Sequence, residues 1–340
     1  MKNGLLLAAG GLLPLLHTCA NPLPLPNPSI PDLLDSLLNP NPDHGGSDSI
    51  TPPGPGYTLT WHDEFTSPSA PSSSSSSGLG SGSNSLPSAS NWLFSTGTQY
   101  PAGAPNWGNN ELQSYTTSPS NIHLTPQGTL LITPLRDTNN HWTSARIETQ
   151  RTSFAARPAG KLYIESRLRT GCAPTSQQSG IWPAFWALGE SFRADPTDWP
   201  MASEWDFVEV INGENTVYNN LHCGVDREMG GPCNEYTGLT NGGLSWSGCD
   251  WHTVGFEVDR EVDGWEDETL TWFVDGSESH QISGADVSDE SVWQTIAHRG
   301  HFLLLNVAVG GNWPGYPDEN TVDGEEVAME VDYVRVWNAD

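Results

Sequence analysis

Residues Glu204-Trp205-Asp206-Phe207-Val208-Glu209 place three carboxylates inside an otherwise apolar, strand-like stretch. Trp205, Phe207 and Val208 require a partly buried setting. Side chains of a strand alternate faces, so Glu204 and Asp206 share one face. Glu209 has the wrong parity to join them. One extra residue bulging between Asp206 and Glu209 restores it, so the spacing predicts a β-bulge near Phe207–Val208. Without the bulge, Glu209 points away and takes no part. Burial and mutual repulsion both raise carboxylate pKa values. A fold tolerates such a cluster mainly where it needs a carboxylic acid beside a carboxylate, as glycoside hydrolysis does.

The period of two recurs along the chain. Tyr57–Phe65 alternates. Lys161–Arg169 sets Leu162, Ile164 and Leu168 against Lys161, Glu165 and Arg167. Val254, Phe256 and Val258 alternate, as do Leu270, Trp272 and Val274, and the run Met329–Trp337 follows suit. Gly/Asn/Pro turns separate these segments, and no long amphipathic helical pattern intervenes. The pattern predicts an all-β, two-sheet sandwich over residues 57–340. A single β-sandwich domain reaches this size.

The formal net charge of −28 argues against nucleic acid or an anionic membrane as partner. It suits a neutral polysaccharide. Fifteen tryptophans serve a core, but flat indoles also stack on sugar rings. Residues 1–20 combine a basic start, an apolar run from Gly4 to Leu16 and a small residue at Ala20, as a secretory signal does. An uncleaved anchor is the alternative, although the run is short for a bilayer. After cleavage no membrane segment is expected. Residues 21–56, rich in Pro and Asn, read as a disordered lead-in. The Ser/Gly-rich stretch at about 67–90 reads as a surface insertion, and its run Ser72–Ser77 is a candidate for O-glycosylation. No Asn-x-Ser/Thr sequon occurs.

Beyond Cys19, Cys172, Cys223, Cys233 and Cys249 remain, enough for two disulfides in a secreted chain. Sequence leaves three pairings open. Cys223–Cys233 with Cys172–Cys249 is the favoured one, because the first pair closes a short loop. A zinc site would more often show paired C-x-x-C spacing.

If the three carboxylates align, roles follow. Retention of anomeric configuration needs two carboxyl groups about 5–5.5 Å apart. Glu204 would attack the anomeric carbon. Glu209 would protonate the leaving oxygen and then deprotonate water. Asp206 would tune both.

Glu204–Glu209 resembles the bulged E-x-D-x-x-E signature of glycoside hydrolase family 16, in its laminarinase-like branch. Six further blocks match in order: Trp61–Phe65, Trp107–Thr116, Thr143–Ile147, Ile181–Trp186, Asn306–Gly315 and Val331–Trp337. The resemblance implies a jelly-roll sandwich of the concanavalin A-like type with an open concave groove. It implies retaining endo-hydrolysis of β-1,3- or mixed-linkage β-glucans, with Glu204 as nucleophile and Glu209 as acid/base. It further implies sugar contacts from Trp199, Trp186 and His222 and a groove lined by Asn109, Glu111 and Arg146. On the residues alone, Trp182 and Trp186 also fit as core aromatics, His222 as a satisfied sheet histidine and Arg146 as an ion-pair partner. Some relatives carry a structural calcium, for which Asp332 and Glu64 are the matching candidates; a solvated strand position is the other reading of Asp332. Catalysis itself calls for no cofactor.

Two departures stand out: the spacer Glu190–Ala202, and Ser203 where relatives often have glycine. A cell-wall transglycosylase would use the same groove. A non-catalytic glucan-binding protein would have lost one catalytic Glu, and both are present. The expectation is a secreted, monomeric β-glucan hydrolase.

Overall fold

A computed structural model describes residues 50–66, 85–224 and 230–340. The signal-like segment 1–20, the lead-in to residue 49 and the serine run Ser72–Ser77 lie outside the described residues, together with the expectations placed on them.

Two eight-stranded sheets dominate. The first runs Ser277–Ser283, Thr269–Val274, His252–Asp259, Lys161–Arg169, Met329–Ala339, Leu130–Ile132 and Ile122–Leu124, with Thr58–Asp63 also paired to Met329–Ala339. The second runs Leu239–Thr240, Thr216–His222, Glu204–Glu209, Ile181–Gly189, His301–Val309, Arg146–Thr149 and Trp92–Ser95, with Leu244–Ser245 on Thr216–His222. Every pairing within these two sheets is antiparallel. Each segment given a period of two by the sequence is a strand here.

The inner faces meet in one apolar core. Leu162, Ile164, Phe256 and Trp272 from the first sheet face Phe185, Trp205, Phe207 and Leu305 from the second. Ring centroids of Trp205 and Phe207 lie 4.8 and 4.9 Å from Phe256 across the gap. Removing a buried ring such as Phe207 costs about 3–5 kcal/mol, transfer and cavity together. A smaller cluster, Leu188, Phe192, Ala202, Phe302 and Leu304, covers part of the second sheet's outer face and packs on Trp186 and Trp199. The spacer between Gly189 and Ser203 builds this cluster through the short helix Ser191–Ala194. Gly189 is required there, because a Cβ would stand 1.7 Å from the Ala202 carbonyl oxygen.

Of the three open pairings, the cysteines adopt Cys172–Cys249 and Cys223–Cys233. They span 77 and 10 residues. Cross-links restrict the unfolded chain more as the loop lengthens, by about 4 kcal/mol for the long link and about 3 kcal/mol for the short one. The double variant Cys172→Ser/Cys249→Ser is therefore expected to lose more unfolding free energy in urea than Cys223→Ser/Cys233→Ser. The reverse order would show that chain entropy does not govern the difference.

Candidate active site

The strand Glu204–Glu209 slips by one residue against both neighbours. Glu204 pairs with His222 and Asp206 with Asn220, but Glu209 pairs with Tyr218. On the other side the slip falls between Trp186–Asp206 and Phe185–Val208. Phe207 and Val208 both enter the inter-sheet core. This is the bulge the spacing predicts, and it turns Glu209 to the outer face beside Glu204 and Asp206. Three rows cross the sheet there: Leu188–Glu204–His222, Trp186–Asp206–Asn220 and Ala184–Glu209–Tyr218.

A bulge frees backbone carbonyls from the ladder, and buried carbonyls need partners. The Trp272 indole, from the opposite sheet, donates to the Asp206 carbonyl at 2.8 Å. The Asn219 amide donates to the Phe207 carbonyl at 2.7 Å. Ser203, just before the strand, has φ +66°. That left-handed conformation explains why glycine suits this position. Serine occupies it here while its hydroxyl bonds His301 Nε2 at 2.6 Å. Burial lowers the His301 pKa to about 3, so the ring is neutral, and it stacks on Trp205 at 3.5 Å.

His222 joins the trio. Its Nε2 lies 3.6 Å from Asp206 Oδ2 and its Nδ1 2.7 Å from Glu235 Oε2. Trp199, after which the peptide to Pro200 is cis, tilts over His222 at 5.6 Å and hydrogen-bonds Glu204. Trp186 stands in the Asp206 row and donates to Asn306 Oδ1 at 2.7 Å. Asn306 donates to Tyr115, whose hydroxyl reaches Glu111. Arg146 is buried, boxed by the rings of Tyr100, Trp107 and Trp186 at 5.0, 4.8 and 4.7 Å. Glu111 and Arg146 thus form a buried polar cluster on the same face, beside Trp186. Asn109 is exposed and reaches Glu111 at 3.4 Å.

Several neighbours carry no clear sequence signal. Trp182, whose parity matches Trp186, donates to Glu209 at 3.2 Å; its reading as a plain core aromatic does not hold. Asn220 also hydrogen-bonds Glu209. Trp313 meets Trp182 and Tyr218 edge-on at 5.6 and 5.0 Å. Tyr236 stacks on Trp199 at 6.0 Å. Glu235 and Tyr236 sit in a loop with no period to read.

Burial is the leading cause raising all three carboxyl groups. Glu204 and Glu209 rise to about 7, and Asp206 rises well above its ordinary value. At Glu204 the charges of His222 and Arg146 oppose the rise. At Glu209 His222 opposes it and Glu204 adds to it. At Asp206 both glutamates add to it. Against its own burial, His222 is raised to about 8 by the hydrogen bond to Glu235 and the surrounding carboxylates. Ligand atoms of Glu204, Asp206 and His222 lie within 4.8 Å of one another. No step below calls on a metal there, and the three groups are read as a cluster that handles protons.

Glu64 and Asp332 lie away from this face. Arg335 takes both oxygens of Glu64 at 2.9 and 2.7 Å, and Arg167 meets Asp332 at 2.8 Å. With a guanidinium on each carboxylate, the donor set does not fit a calcium shared by these two side chains.

The raised Asp206 pKa fixes a pH dependence of stability. The protonated acid suits the fold, so its contribution is full below the unfolded pKa near 4 and is lost as pH climbs through the raised folded value. Asparagine has no proton to lose. In thermal melts Asp206→Asn should show its gain over the native chain growing from pH 4 to pH 8, by about 2–4 °C for each kcal/mol. A pH-independent difference would contradict the assignment.

No protein-family profile matches the chain. It is 28% identical over 287 residues to the clotting factor G alpha subunit of Tachypleus tridentatus, which covers 83% of the chain but only 34% of that protein. It is 28% identical over 293 residues to a beta-glucanase of Rhodothermus marinus, covering 83% of the chain and 86% of the relative. The crystal structure of an endo-1,3-beta-glucanase from Streptomyces sioyaensis superposes with a TM-score of 0.77 at 36% identity, covering 86% of this chain and 100% of that one. At that identity and coverage, the chain belongs to the laminarinase-like endo-1,3-β-glucanases of glycoside hydrolase family 16.

Proposed function

We propose that the chain hydrolyses internal bonds of β-1,3- or mixed-linkage β-1,3(4)-glucans with retention of configuration, and that it works outside the cell. The bulge at Phe207 carries the reading: it gathers Glu204, Asp206 and Glu209 on one outer face where indoles donate to the two glutamates. The relatives named as glucanases give the substrate class. Two disulfides suit an oxidising compartment. Among the described residues no helix is long and apolar enough to cross a membrane.

Neighbouring charges act on both glutamates: at Glu204 the cations His222 and Arg146 are opposed by Glu235, and at Glu209 the cation His222 is opposed by Glu204. Glu204 is taken as the carboxylate and Glu209 as the acid, as the E-x-D-x-x-E signature implies. Glu204 attacks the anomeric carbon while Glu209 protonates the departing oxygen, leaving a glycosyl ester on Glu204. Glu209, now ionised, takes a proton from water, which attacks the ester from the vacated side and returns Glu204 as carboxylate. Asp206, raised by burial and by both glutamates, keeps a proton that it can offer to whichever glutamate is charged. Trp199, Trp186 and His222 line the sugar path at the nucleophile, and Trp182 and Trp313 at the acid.

Incubation with laminarin, lichenan, xyloglucan and agarose tests the substrate class. Shortened oligosaccharides from the first two, with initial β-configuration by NMR, are expected; no release from either would overturn the reading. Glu204→Gln should abolish turnover and leave laminarin binding intact, and surviving turnover would reassign the nucleophile.

Glu209 must start protonated, so activity should fall as pH rises through about 7. Glu209→Ala should lose roughly 10²–10⁴-fold in kcat, recover with azide or an activated leaving group, and lack this alkaline limb. An unchanged limb in that variant would remove Glu209 from the acid role.

A further inference from the structure

Glu235 lies just past Cys233, in the loop that the Cys223–Cys233 link returns to the end of the strand Thr216–His222. Its side chain is fully buried. One oxygen accepts the backbone N–H of Cys223 at 2.9 Å, and the other faces His222 Nδ1 at 2.7 Å. The far side of the same ring faces Asp206 at 3.6 Å. A buried carboxylate needs a donor of opposite charge, and the contact it has is this imidazole. We propose that Glu235 is a positioning residue: by accepting the Nδ1 proton it fixes the His222 ring and holds it as a cation, so that Nε2 presents positive charge to Asp206 and Glu204.

The surroundings leave the ring little choice. Glu204, Asp206 and Glu209 face it from the neighbouring strand, and Glu235 faces it from the loop. Trp199 closes one side at 5.6 Å. A Cβ on Gly238 would lie 3.0 Å from the ring's Cε1, so the main chain closes another. Ring rotation would strand Glu235 without its proton donor. The charge matters because His222 is the largest influence holding down the pKa of both Glu204 and Glu209. Arg146 also lowers Glu204 but is not among the leading influences on Glu209. Loss of Glu235 should let the ring deprotonate earlier; it also removes a negative charge that raises Glu204 directly, so the ring titration is the readout with a fixed sign.

The kinetic arm of the test rests on the glucan hydrolase reading; the titration arm does not. Glu235→Gln keeps the shape but replaces one acceptor oxygen with an NH₂ group, which must face either the Nδ1–H or the Cys223 N–H. In the full chain, the His222 Cε1–H resonance, assigned by its loss in His222→Gln, is followed by NMR against pH. The native ring should titrate near 8, and the Gln variant about one unit lower or more. In laminarin hydrolysis the acid limb of the kcat profile should shift, with kcat down roughly tenfold and KM changed less. Glu235→Asp should restore part of both effects.

A native ring titrating at or below the ordinary ~6.5 would overturn the proposal. So would equal midpoints in native and Gln chains, or a Gln variant that melts earlier with an unmoved pH profile. If Glu235→Gln does not fold, the native titration decides alone. If laminarin is untouched, the hydrolase reading fails while the ring titration still answers for Glu235.

Discussion

The ladder around Glu204–Glu209 loses step by one residue at Phe207, and the acidic side chains share a face because of that slip. In an unbroken strand Glu209 would point among Phe185, Trp205 and Phe256, where an unpaired charge costs several kcal/mol. Two consecutive apolar side chains, Phe207 and Val208, plug the core in its place. The exposed carbonyls are taken up by Trp272 and Asn219. Core packing and polar satisfaction thus enforce the same irregularity, and the chemistry on the outer face follows from it.

Three carboxyl groups packed this closely are destabilising by burial and by repulsion, and the fold offsets this with few charges. His222 is shared between Asp206 and Glu235, while Arg146 acts from beside Trp186. At both glutamates the charge of His222 works against burial. A site of this kind stays poised because its protons have nowhere cheap to go.

Much of this was legible beforehand. Strand periodicity gave the two layers, and the parity of Glu209 demanded the bulge. Ser203 marked the strained entry, although its left-handed φ appears only in three dimensions. Glu235 was invisible, because a loop glutamate has no period and its meaning depends on where the Cys223–Cys233 link brings it. Trp182 could be read either way, because alternation with Trp186 puts the two on one face without saying whether that face is core or groove. The arginines that meet Glu64 and Asp332 from neighbouring strands could not be read from the sequence, because they come together only in the folded sheet.

The Trp272 indole spans the sandwich, rooted in the strand Thr269–Val274 and anchored on the main chain of Asp206. Its sheet carries none of the three clustered carboxylates, yet it holds the height of the acidic ribbon like a strut under a bridge deck. Repacking in that remote layer, however well tolerated by the fold, would therefore be felt first as misaligned chemistry. Sequence drift in the supporting sheet is constrained by turnover as well as by folding.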